Sequence, residues 1–162
     1  MSDSCAALWS EFLASGVPSA AEAASATYTS WQFGYGVEQG DRLLDVVLTG
    51  PKRATAGALA AYEHEGEDVP RPGDFNIVTD GSGVGRCVIR TTSVDITPFE
   101  EVDAQFAWDE GEGDRSLEYW RSVHWPYFVR ELASFGRVAT QDMLVVCERF
   151  EVVFPPGLDS LG

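Results

Sequence analysis

Of the eleven basic residues in this 162-residue chain ten are arginines, and the single lysine, Lys52, stands in the segment TGPKRAT. Arginine stays protonated, whereas a lysine amine that is desolvated or placed near another cation loses its proton and acts as a base or nucleophile. Three residues on is Thr55, so the segment offers an amine and a hydroxyl in a K-x-x-T pattern, a workable base and nucleophile for acyl transfer. In a regular strand, positions three apart face opposite ways, so a loop or bulge has to bring the two groups together. The spacing alone is common, and an arginine-preferring composition also leaves a lone lysine.

A second constellation is the acidic run in WDEGEGD, residues 108–114. Its glycines permit backbone angles closed to other residues, so Glu110 or Glu112 can turn inward and orient the Lys52 amine; the plainer reading is a solvated acidic turn. The third is aromatic: Trp31, Phe33 and Tyr35 alternate beside Gly34 and Gly36, and Trp108, Trp120, His124 and Trp125 follow further on. Rings of this kind stack on nucleobases and arginines hydrogen-bond them, which makes Trp31, Phe33, Arg53, Arg121 and His124 candidates to bind a nucleoside. Most such rings serve as core, and a lone helical histidine is usually a packing residue. The histidines, His64 and His124, lie far apart and form no metal-binding motif.

Stepping outward, residues 3–14 have the spacing of a short amphipathic helix and residues 19–26 of a second. Residues 28–33 are β-prone, and residues 37–48 place Leu43, Leu44, Val47 and Leu48 on one helical face before Gly50. Lys52 thus emerges from a helix end into an extended segment. The VPRPGD turn launches a strand at 75–78, and DGSG returns the chain into a long strand at 85–96, a hairpin. A helix is expected from Thr97 to about Ala107, a longer one from Ser116 that carries Pro126, and an apolar last strand over 143–154.

Acidic residues outnumber basic ones 26 to 11, a formal net charge of -15, which repels RNA duplexes and anionic membranes. Three scattered cysteines, Cys5, Cys87 and Cys147, suggest neither a zinc knuckle nor a disulfide framework and fit a reducing compartment. The start of the chain lacks the basic region of a secretory signal, and no apolar run reaches membrane-spanning length; cytoplasmic placement follows by elimination.

The combination of WQFG, TGPKRAT, the VPRPGD turn, AWDEGEGDRSLEYWRSVH and VVCERFEVV resembles the ASCH family over residues 31–154. The resemblance implies an α+β fold of the PUA-like kind, a small mixed β-barrel with surrounding helices, with residues 1–30 as a helical extension of the same domain and 155–162 as a frayed tail. It implies a nucleoside or a short single-stranded RNA as ligand, with no cofactor and no metal. Two bacterial activities fall within the family: an amidohydrolase acting on N4-acetylcytidine through lysine, threonine and glutamate, and a ribonuclease on single-stranded RNA. On the first pattern Lys52, Thr55 and Glu110 match the catalytic set, with Glu112 as rival to Glu110. In that scheme Thr55 attacks, Lys52 takes and returns the proton, and Glu110 holds the amine. A non-catalytic RNA- or nucleotide-binding module is the competing expectation.

Overall fold

The computed structural model describes residues 3–158 and consists of two compact units. The first comprises Met1–Pro51, Pro72–Thr92 and Phe150–Gly162, and the second Lys52–Arg71 and Ser93–Arg149. Among the described residues six α-helices, one 3₁₀ turn at Phe99–Glu101 and five strands alternate irregularly, so the class is α+β, as expected. In order of strand pairing the sheet reads β1-β3-β4-β5-β2, where β1 is Tyr28–Trp31, β2 Ala54–Ala58, β3 Phe75–Thr79, β4 Gly85–Pro98 and β5 Leu144–Phe154. This series is open, with β1 and β2 each paired on one side only, so these pairs do not form the closed barrel that the resemblance implies.

In the first unit β1 lies parallel to β3, and β3 forms the expected antiparallel hairpin with β4, from Phe75 opposite Arg90 to Val78 opposite Cys87. Leu43, Leu44 and Val47 project from one face of α3 (Gly36–Thr49) and pack with Phe33, Val78, Ile89 and Phe150. Phe12 of α1 (Asp3–Ala14) and Ala20 and Ala23 of α2 (Pro18–Ala23) pack with Phe75, Ile77 and Val88. Leu158 packs against the α3 cluster, and residues 159–162, the rest of the expected frayed tail, lie outside the described ones.

The second unit carries the candidate chemistry. β2 runs antiparallel to β5, with Ala54 opposite Arg149, Thr55 opposite Glu148 and Ala56 opposite Cys147. One face of this pair, Ala54, Ala56, Ala58, Val145 and Cys147, packs with Phe99, Phe106, Trp120 and Phe128 from the helices. α4 (Leu59–Glu65) follows β2 directly and stops at Gly66, which is left-handed at φ 68°. The helix expected from Thr97 begins later. β4 runs on to Pro98, Phe99 and Glu100 give their N–H groups to the carbonyls of Met143 and Gln141, and α5 is Ala104–Glu110. Its N-cap is Asp103, whose carboxylate accepts from Phe106 N at 2.9 Å. α6 (Leu117–Ser134) starts where expected, with Ser116 Oγ accepting from Tyr119 N at 3.0 Å, and contains Pro126. Among the described residues no helix is long and apolar enough to cross a membrane.

Candidate functional site

Lys52 lies in the irregular segment just before β2, so strand alternation does not govern its side chain. Arg53 N donates to Asp109 O at 2.9 Å, which ties this segment to the end of α5. The Lys52 side chain is 1% exposed, and its three protons meet three short acceptors: Ala54 O at 2.9 Å, Glu112 Oε2 at 3.0 Å and Glu110 Oε1 at 3.2 Å. Glu110 and Glu112 therefore both hold the amine. The chain manages this through Gly111 (φ 69°), which ends α5 in a left-handed cap, and Gly113 (φ 58°).

Glu110 is the hub. Its Oε2 accepts from Trp120 Nε1 and faces His124 Nε2 at 3.1 Å, while its Oε1 faces the ammonium. Trp120 and His124 sit one helical turn apart on α6, with their rings stacked at 4.3 Å. His124 Nδ1 faces the Trp120 carbonyl at 2.8 Å. A carbonyl can only accept, so Nδ1 carries a proton; with a carboxylate before Nε2, the ring is held as an imidazolium. Burial works against that charge, but Glu110 outweighs it and raises the pKa above the ordinary histidine value. Burial likewise opposes ionisation of Glu110, yet Lys52 and then His124 prevail and bring its carboxyl down to about 2. For Lys52, burial disfavours the ammonium, and the charges of Glu110 and Glu112 reverse the balance and raise its pKa. An amine held this way has no lone pair with which to accept a proton near neutrality.

Ligand atoms of Glu110, Glu112 and His124 lie within 4.8 Å of one another, a spacing that suits a metal. Both carboxylates already hold the Lys52 ammonium and His124 faces Glu110 as a cation, so a dication would have to displace positive charge from the same oxygens. As it stands, the trio is an ion-pair network.

Thr55 is half-buried on β2. Its neighbours Ala54 and Ala56 pack on the helix-covered face, so alternation directs Thr55 to the opposite one, shared with Gly57 and with Glu148 across the ladder. Arg53 is half-buried and donates from Nη1 to Lys52 O at 2.6 Å. Arg121 is exposed on α6, with Nη2 donating to Glu100 O at 3.1 Å. Trp31 and Phe33 belong to the other unit. There Trp31 Nε1 donates to Asn76 Oδ1 at 3.0 Å, and Phe33, buried, packs edge-on against Trp31 at 4.8 Å. The geometry thus assembles Lys52, Glu110, Glu112 and His124, sets Thr55 on the adjoining strand, and uses Phe33 as core.

A recess of about 240 Å³ in this unit is lined by Asp95, Thr97, Glu101, Asp103, Phe106 and Arg149 among others, and by none of the residues nominated from sequence. Two features escaped sequence reasoning. The Trp120 indole is a hydrogen-bond donor to the hub, which its four-residue spacing from His124 hints at. Glu148 is 4% exposed, a carboxylate inside the apolar run VVCERFEVV.

The ASCH domain model matches residues 29–154, most of the chain. The protein belongs to the ASCH domain family. Its fold is similar to the crystal structure of an ASCH domain from Lactobacillus crispatus JV V101, at 31% identity and a TM-score of 0.86, covering 94% of this chain and 96% of that one. It is also similar to protein EF3133 from Enterococcus faecalis V583, at 36% identity and a TM-score of 0.83, covering 94% and 90% of the two chains. No curated protein matches the sequence. The matched ASCH segment includes Lys52, Thr55, Glu110, Glu112, His124 and Glu148, so the polar cluster and the Thr55 strand both lie within the family's domain.

Proposed function

We propose that this ASCH domain is a nucleoside-directed hydrolase, an amidohydrolase that removes the acyl group from an N4-acetylcytidine-like base, with Thr55 as nucleophile. The observation that carries the reading is the wholly buried Lys52 ammonium, charge-matched by Glu110 and Glu112, which hydrogen-bonds the backbone of the very strand that bears Thr55. Strongly perturbed, mutually compensating ionisable groups concentrate at functional sites. Here the network fixes the start of β2, and with it the placement of Thr55, three residues on from Lys52. Lys52 acts in this scheme as a fixed cation, and the role of proton acceptor passes to another group. Glu110 holds Lys52 and His124 in their charged forms. The net charge of -15 favours a small or short ligand over a long polyanion.

The test is turnover of N4-acetylcytidine by purified protein beside a short single-stranded RNA. We expect cytidine release from the nucleoside, abolished in Thr55→Ala with the far-UV CD spectrum unchanged, and weakened at least about 10²-fold in Lys52→Met. Cleavage of the RNA without deacylation would establish a ribonuclease instead. Binding without either reaction, weakening steeply with salt, would establish a non-catalytic module.

A further inference from the structure

The hydrolase reading leaves Thr55 without a base, because the amine three residues before it is locked as an ammonium. The β2–β5 ladder supplies a candidate. Thr55 and Glu148 are register partners, and directly opposed residues on an antiparallel pair share a face with Cβ atoms ~5 Å apart. That face is the one turned away from Ala54, Ala56 and Cys147. Glu148 is 4% exposed, so its carboxyl group is held away from bulk water, whereas Thr55 is half-buried. On the same face the Tyr62 ring of α4 covers Gly57, where an added Cβ would come within 3.0 Å of Cε2. Burial and then the charges of Glu148 and of Glu67, Glu131 and Glu65 push the Tyr62 phenol up to about 12. A hydroxyl, a buried carboxyl group and an aromatic ring thus share one sheet face.

We propose that Glu148 is the general base for Thr55. This rests on the hydrolase reading and deepens it. As Thr55 Oγ forms its bond to the acyl carbon, its proton passes to the Glu148 carboxylate, giving a tetrahedral oxyanion. Collapse breaks the acyl C–N bond, and the protonated Glu148 returns the proton to the departing base nitrogen, leaving acetyl-Thr55 and cytidine. Water then adds to the ester carbonyl while Glu148 takes its proton. Collapse breaks the bond between the acyl carbon and Thr55 Oγ and releases acetic acid, while the proton on Glu148 returns to Thr55 Oγ. The sum is amide plus water to amine plus acetic acid, which ionises to acetate and a proton in solution, and no further reactant is needed.

The probe is p-nitrophenyl acetate, with acetylation of Thr55 followed by mass spectrometry of the digested protein, beside turnover of N4-acetylcytidine. We expect wild-type protein to acquire acetyl on Thr55, Glu148→Gln to do so about 10²-fold more slowly, and Glu148→Asp to fall between. The wild-type rate should rise with pH through one ionisation and level off. An unbroken rise in proportion to hydroxide overturns the proposal, and this arm needs no variant to fold. Equal rates in wild type and a correctly folded Glu148→Gln also overturn it, as does absence of acetyl on wild-type Thr55. Glu148-dependent acetylation without turnover of the nucleoside would refute the proposed substrate while sustaining Glu148 as base. Turnover of the nucleoside with rates equal in the two proteins would do the reverse.

Discussion

The three protons of the Lys52 ammonium and the two oxygens of Glu110 are all engaged, so the cluster has little room to re-partner when one member changes. Glu110→Gln keeps the shape and removes the charge. Lys52 would then rely on Glu112, and His124 would lose the anion that keeps it protonated. Removing one partner from a buried ion pair costs about 3–5 kcal/mol. We expect a loss of that order near pH 7, read as a lower urea midpoint with an unchanged slope. The same variant should return the His124 pKa to or below the ordinary value, followed through its ring resonances by NMR; a pKa unchanged from wild type would contradict the Glu110–His124 coupling. The signs with pH are opposite for the two partners. Glu110 is depressed to about 2, so its contribution is present above the ordinary carboxylate value and is lost as pH falls through 2. His124 is raised, so its contribution is fully present below the ordinary histidine value and is lost as pH climbs through the raised one.

At the level of elements, the cluster depends on how α5 ends. Gly113 sits at φ 58°, and a Cβ there would lie 2.4 Å from the Tyr119 ring. Gly113→Ala therefore meets both backbone strain and a clash, and relief moves either Tyr119 or the loop that delivers Glu112 to Lys52. A cost of about 1–3 kcal/mol follows from such strain; thermal melts should show it, and a melting temperature equal to wild type would mean that the loop accommodates the change. The inward turn of this loop was only half legible in the sequence: glycines on both sides of Glu112 permit it, yet an acidic run reads more plainly as a solvated turn. The β3–β4 hairpin was legible, its turn being written in DGSG. The late start of α5 was not. Thr97-Pro98 looks like a helix start until the carbonyls of Met143 and Gln141, more than forty residues away in sequence, capture the N–H groups of Phe99 and Glu100. The face of Thr55 was equally hidden, because only the register with β5 shows Glu148 opposite, and a buried carboxylate within a near-continuous apolar run leaves no alternation to read. The aromatic pair Trp31 and Phe33 has the composition of a base-stacking platform, yet a ring's chemistry is the same in a core, and Phe33 is core.

For the whole molecule the governing quantity is the net charge of -15 on 162 residues. Like charge spread over one surface disfavours the compact state, and screening shortens its reach from about 30 Å at 0.01 M salt to about 8 Å at 0.15 M. The Lys52 network is buried and internally matched, so salt barely reaches it, whereas the exposed acids are screened directly. Sodium chloride should therefore raise the melting temperature at pH 7 across that range, by an amount that Glu110→Gln leaves intact although it lowers the starting value. A melting temperature that falls with salt would mean that exposed ion pairs, such as Arg90 with Glu22, outweigh the general repulsion. The same field bears on function. A neutral acylated nucleoside approaches this surface without electrostatic cost, while each added phosphate of an RNA meets repulsion that salt relieves. The ratio of nucleoside to RNA affinity should accordingly be greatest at low salt, and a titration of both ligands across the same salt range measures it.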